Sequence, residues 1–239
     1  MTPLKESEEY GPTVQKDNQF GITLVLGAMP KSPAVIIGAI RQIELEGIQI
    51  NKIIALETAA VMAGVHIASE SVNKADWNLT QIYKELEKFE KKELQKKLEK
   101  IFSLKNKGRV SAEFLVANND SGSWVFFDQS NYIEKIMPSL KGCGWIDDAS
   151  ESCLKPKTKE TYLELTKNET VNPVVFLVKE FPGEQSENRF FIQFPENHNE
   201  QIDSSSRSKH LFLGKKYIKQ ELQKLKPWLK ELKDKNESH

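Results

Sequence analysis

Apolar residues follow two rhythms along this chain, and the first switch between them comes early. Between Gly21 and Thr58 the sequence reads GITLVLGAMPKSPAVIIGAIRQIELEGIQINKIIALET. It opens on a continuous apolar run, passes a short polar turn, and then repeats apolar residues at helical spacing. A continuous run of this length suits a strand covered on both faces, as in a parallel sheet. Pro33 suits the first turn of the helix that follows, with Ser32 as its N-cap. Val35, Ile36, Ala39, Ile40 and Ile43 line one face of it, and Gly47 is a fitting stop. NKIIALE is then a second buried strand. Strand, helix and strand in this order form a βαβ unit, whose crossover is right-handed almost by rule.

The helical rhythm resumes beyond Thr58. TAAVMAGVHIAS accommodates either a helix interrupted at Gly64 or a turn and a strand; the alanines favour helix. Asp76 and Asn78 are candidate caps for the next element. Leu79, Ile82, Tyr83, Leu86, Phe89, Leu94, Leu98, Ile101 and Phe102 predict one amphipathic helix of about six turns. RVSAEFLVAN and SWVFFDQ, parted by the turn signal NDSG, predict a hairpin at an antiparallel edge of the sheet. SNYIEKIMPSL is read as a short helix or turn, and a polar helix is expected around Lys157–Lys167. NPVVFLVKEF predicts another buried strand, with NRFFIQFP as its continuation or its hairpin partner. ENHNEQIDSSSRSKH reads as a surface loop. Ile218, Leu222, Leu225, Leu229 and Leu232 then mark a C-terminal helix, which Pro227 is expected to kink or split.

Composition adds little to this picture, but charge placement does. The 239 residues carry no formal net charge. Yet Lys84–Arg109 holds ten basic and five acidic residues, and Arg207–Lys235 holds ten and three. Both segments read first as solvated Lys-rich faces. Lys215, Lys216 and Lys219 beside Tyr217 form the best local patch for a nucleic acid. Two cysteines, Cys143 and Cys153, are too few for a disulfide framework and have no histidine near them for zinc. The first 19 residues are polar and unlike a signal peptide, and no apolar run approaches the roughly 20 residues that span a bilayer. A cytoplasmic location is therefore expected, and the sequons at Asn78, Asn119, Asn168 and Asn236 are read as chance.

The chemistry concentrates in the turn GAMPKS. A loop from a parallel strand into a helix presents backbone N–H groups and the positive helix end at the carboxyl edge of the sheet, a setting suited to phosphate. Lys31 and Ser32 add a cation and a hydroxyl. The glycines of a P-loop or of a dinucleotide fingerprint are missing, since Pro30, Met29 and Ser32 stand in their places. Glu57 and Thr58 end the second strand where an acidic residue would meet a ribose. The four histidines do not cluster, and His66 reads as a satisfied core or edge residue. Cys143, Trp145, Asp147 and Asp148 form a local group without nucleophile–base spacing.

The stretch LVLGAMPKSPAVIIGAIRQIELEGIQINKIIALET resembles the opening unit of CRISPR-associated Rossmann-fold (CARF) domains. In that family a first strand leads into a short Gly/Ser/Thr-containing turn, often followed by "SP" and an apolar helix, and the second strand commonly ends in threonine. VVFLVKEFPGEQSENRFFIQFP is similar to a late strand and loop of the same family, whereas the second Gly- and Arg/Lys-containing ligand loop is not visible. The resemblance implies a homodimer that binds a cyclic oligoadenylate, some members of the family also cleaving it. It implies that Gly27, Met29, Lys31, Ser32 and Thr58 lie near the ligand, and Glu57 joins them from the strand-end argument. Were cleavage to occur, Ser32 and Lys31 would position the ribose hydroxyl and the scissile phosphate.

The expected fold is α/β, Rossmann-like: a mostly parallel sheet with helices on both faces and a C-terminal helical extension. A flexible tail is expected over 1–19, the α/β domain over 20–200, and a linker and helical extension over 201–239. The expected function is sensing a cyclic oligonucleotide second messenger in prokaryotic antiviral defence, with no cofactor and no metal. Two other readings stay open. One is an NAD- or S-adenosylmethionine-dependent enzyme with Glu57 on the ribose. The other is a non-enzymatic adaptor whose Lys-rich amphipathic helices bind a protein partner.

Overall fold

The computed structural model describes residues 20–27, 34–56, 58–69, 72–88, 91–102, 111–117, 124–127, 159–178, 186–194 and 206–237. Its strands are β1 (Ile22–Leu26), β2 (Ile50–Leu56), β3 (Ser111–Ala117), β4 (Trp124–Phe127), β5 (Val174–Val178) and β6 (Arg189–Gln193). Its helices are α1 (Ala34–Leu45), α2 (Thr58–Ala68), α3 (Val72–Lys88), α4 (Lys91–Phe102), α5 (Lys159–Leu165) and α6 (Ser206–Glu237). The strands form one sheet in the order β4-β3-β2-β1-β5-β6. Among these described strands only β4 runs antiparallel to its neighbour; every other pair is parallel. The chain is thus α/β and Rossmann-like, with the expected hairpin at one edge.

The apolar run of β1 is explained by burial on both faces. Leu24 and Leu26 share one core with Ile53, Ala55, Val175 and Leu177, and with the inner sides of α1, α2, α3, α4 and α6. Val25, between them, turns to the other face, where Ile54, Leu56 and Phe176 pack with Tyr162 of α5. A strand flanked by helices on both sides has no polar side to alternate with.

α1 ends as its sequence predicts. Gly47 adopts φ +74°, Ile48 N–H donates to Ile43 O at 3.2 Å, and Gly47 N–H donates to Glu44 O at 3.0 Å. This is a Schellman cap, with the apolar pair Ile43 and Ile48 buried beside it. The helical reading of TAAVMAGVHIA holds as α2, which ends before Ser69.

Four expectations are corrected. The six-turn helix is two: α3 starts at Val72, earlier than either proposed cap, and α4 follows it. Lys97 of α4 forms an ion pair with Glu85 of α3, and lies 3.4 Å from Gln81. In a straight helix twelve residues span about 18 Å, so the chain has folded back on itself. One continuous stripe of helical period cannot tell a long helix from a helical hairpin. Second, β6 is neither a continuation of β5 nor its hairpin partner but its parallel neighbour, pairing Val174 with Arg189 and Val178 with Gln193. Third, Ser206–His210, read as loop, is the first turn of α6, and His210 is fully buried. Fourth, of the kink or split expected at Pro227, the split does not occur: α6 runs unbroken from Ser206 to Glu237. Pro227 faces solvent while Leu225 and Trp228 beside it are buried. Packing on both sides of the proline outweighs its lost hydrogen bond.

The tail over 1–19, the NDSG turn, the SNYIEKIMPSL segment, and the group of Cys143, Trp145, Asp147, Asp148 and Cys153 lie outside the described residues, as do His198 and His239.

Candidate functional site

The order of strands puts β1 between β2 and β5. The chain leaves β1 toward β2 on one side, while β5 and β6 lie on the other. Open α/β sheets take ligands at the carboxyl ends of strands where the order reverses in this way. Here those ends belong to β1 and β5, and they are held together: Gly27 N–H donates to Leu177 O at 2.8 Å.

Gly27 is the one predicted site residue whose surroundings are described in full. A Cβ there would lie 2.7 Å from Tyr162 Oη and 3.3 Å from Leu177 O. Glycine is therefore required by close approach, not by an unusual φ. Tyr162 comes from α5, is fully buried, and meets Phe176 of β5 edge-on at 6.3 Å. Phe176 in turn stacks on Phe191 of β6, with ring centroids 4.3 Å apart. This aromatic row fixes the phenol beneath the end of β1. Neither Tyr162 nor its approach to Gly27 was visible in the sequence, because 135 positions separate them.

Two helices begin at the same edge. Thr58, expected at the end of the second strand, is instead the first residue of α2, β2 having ended at Leu56. Ala34 begins the described part of α1, and its buried N–H donates to Tyr83 Oη of α3 at 2.9 Å. One of the orphan amides that make a helix start attractive to anions is thus already satisfied by a side chain. In the sequence Tyr83 stood out only as an apolar position of α3. Met29, Lys31, Ser32 and Glu57 lie outside the described residues.

The opposite edge of the sheet carries a polar cluster that closes on itself. Glu169 accepts from Thr23 Oγ1 at 3.1 Å and is ion-paired with Lys52. Asn51 Nδ2 donates to Asn172 Oδ1 at 2.9 Å, and Asn172 Nδ2 approaches Thr23 Oγ1 at 3.5 Å. These groups tie the amino ends of β1 and β2 to the segment entering β5, a role in stability.

His66 is buried with Nε2 3.2 Å from Glu44 Oε2, a contact that joins the ends of α2 and α1 and satisfies one of its two ring nitrogens. Asp76, read as a cap, instead pairs with Arg41 Nη1 at 2.7 Å. Asn78 is buried and donates to Ser69 Oγ at 3.1 Å, which agrees with reading its sequon as chance. Tyr217, at the centre of the proposed basic patch, packs edge-on against Phe194 at 5.5 Å. The apolar faces of α3, α4 and α6 are likewise turned inward: Leu79, Ile82, Leu94, Leu98, Ile218, Leu222 and Leu225 all belong to the main core.

Among the described residues, no group of three His, Cys, Asp or Glu side chains is placed to hold a metal, and no helix is long and apolar enough to cross a membrane. No protein-family model matches the chain, and no curated protein matches it.

Proposed function

We propose that this chain is a sensor of a cyclic oligonucleotide second messenger, of the cyclic oligoadenylate class, working as a homodimer in prokaryotic antiviral defence. The observation that carries the reading is the joined carboxyl ends of β1 and β5, with Gly27 bonded to Leu177 and two helix starts at the same edge. Such an edge favours phosphate through backbone N–H groups and helix dipoles. The resemblance of residues 21–58 to the opening unit of CARF domains supplies the ligand class. Because Ala34 N–H is taken by Tyr83, phosphate would use amides earlier in the turn, with Lys31 and Ser32 assisting and Thr58 at the neighbouring helix start. A protein partner would meet the Lys-rich outer faces of α4 and α6, since their apolar faces are occupied.

Thermal shift and calorimetry with cyclic tetra- and hexa-adenylate, NAD and S-adenosylmethionine test this. A cyclic oligoadenylate at a hundred times its Kd should stabilise the fold by about 2.7 kcal/mol. Lys31→Ala with Ser32→Ala should abolish that shift. Full retention of the shift in this variant would remove the turn from the site. A shift with NAD or S-adenosylmethionine alone would replace the sensor reading by the enzyme reading.

A further inference from the structure

A second candidate site lies away from the sheet edge, in a shallow groove between the first halves of α3 and α6. Its volume is about 520 Å³, and Arg41, Asn73, Asp76, Trp77, Arg207 and Lys215 are among its lining residues. Trp77 is 60% exposed, whereas Trp228 is almost wholly covered. Tryptophan is highly buried on average, so its exposure beside cations is informative. Asp76 is the acidic residue among the described residues lining the groove, and it is balanced by Arg41 at 2.7 Å. Arg207 and Lys215 are therefore in surplus there. They stand eight residues apart on α6, about 12 Å along its axis. The groove thus combines an exposed aromatic face with excess positive charge held on rigid helices.

We propose that this groove binds single-stranded nucleic acid, with a base stacked on Trp77 and backbone phosphates on Arg207 and Lys215. Stacking on an aromatic side chain needs a base whose face is free, which a duplex does not offer, and cations alongside follow the backbone. Asn73 at the rim supplies an amide for sugar or base edges. The patch that sequence alone suggested, around Tyr217, is displaced by this one. Tyr217 is committed to Phe194, whereas Trp77 is brought to the basic face from a different helix.

The test uses the full chain and a fluorescein-labelled twelve-nucleotide RNA of mixed sequence, read by anisotropy at low salt and then across a salt series. Trp77→Ala should weaken binding by at least about 5-fold, and Trp77→Phe should keep most of it. Arg207→Ala with Lys215→Ala should weaken binding and reduce the salt slope by about 1.4, at roughly 0.7 per phosphate. All three positions reach the surface, and unchanged unfolding midpoints would show the variants folded. Lys31→Ala with Ser32→Ala should leave RNA binding unchanged, which keeps this result separate from that of the sheet edge. No binding by the wild type at low salt would overturn the proposal. So would wild-type affinity in both groove variants, or equal competition by a duplex of the same sequence.

Discussion

Gly38 of α1 and Gly214 of α6 mark the crossing of the two helices, and neither position has room for a methyl group. A Cβ on Gly38 would run into the carbonyl oxygen of Leu211, and a Cβ on Gly214 into that of Val35, with Ala39 N only 2.8 Å away. These are backbone atoms, so no rotamer change relieves the contact. The helices would have to part, drawing Ile218, Leu222 and Leu225 away from the core they share with α1.

Gly38→Ala and Gly214→Ala should each destabilise the fold by about 1–3 kcal/mol, the usual cost of overpacking. This runs against the gain of up to about 1 kcal/mol that alanine normally brings to a helix interior. The double variant should cost less than the two single losses combined, because one separation of the helices relieves both clashes. Urea unfolding midpoints measure all three; a stabilised Gly214→Ala would show the crossing to be looser than described.

The Tyr83 hydroxyl serves the start of α1. Tyr83→Phe leaves the buried Ala34 N–H without its acceptor and should cost about 1–3 kcal/mol. Hydrogen exchange at the first turn of α1 should quicken in the same variant. An unchanged midpoint together with unchanged exchange would rule out this capping role.

Gly27 and Tyr162 form a second coupled pair. Gly27→Ala should destabilise because its methyl meets the phenol oxygen at 2.7 Å. Tyr162→Phe removes that oxygen, so Gly27→Ala should be less harmful when combined with Tyr162→Phe than in the wild type. A double-mutant cycle reads the difference directly. Equal costs in the two backgrounds would assign the glycine to its contact with the Leu177 carbonyl instead.

Acid should loosen one tie between α6 and the turn that follows α1. Glu46 sits below its ordinary pKa chiefly because Lys226 Nζ donates to it at 2.7 Å. Partial desolvation opposes this, while the Lys226 charge and the Gln42 hydrogen bond reinforce it. A carboxyl depressed by folding stabilises above its unfolded pKa and loses that contribution as pH falls through the folded one. The pair is exposed, so the effect is small and weakens with salt. Lys226→Met should therefore lower the melting temperature slightly at neutral pH, and the gap to wild type should close in acid. A gap that persists below the carboxylate range would mean Lys226 acts through packing alone.

Much of the frame was legible in local pattern. The βαβ unit, the Gly47 stop, the edge hairpin and the last buried strand are each signalled within a few residues, because turn chemistry and burial period act locally. Of the expected site residues only Gly27 and Thr58 fall among the described residues, the first just past the end of β1 and the second at the start of α2. The roles of the Tyr162 and Tyr83 hydroxyls were not legible, because a tyrosine at a core position carries no mark of where its hydroxyl will arrive.

What the sequence by itself determined is the βαβ unit, most of the strand and helix segments, and that the central strands β1 and β5 are buried on both faces. Those follow from backbone preference and from the periodicity of side chains along one segment. Tertiary structure alone decided that the six-turn stripe folds back between Glu85 and Lys97 and that β6 runs parallel to β5. It also decided that α6 crosses α1 where Gly38 meets the backbone of Leu211 and Gly214 that of Val35, and that Trp77 shares a groove with Arg207 and Lys215. Each of these joins residues remote in the chain. Their free energy comes from excluding water and satisfying polar groups between segments, and no period within one segment encodes its partner.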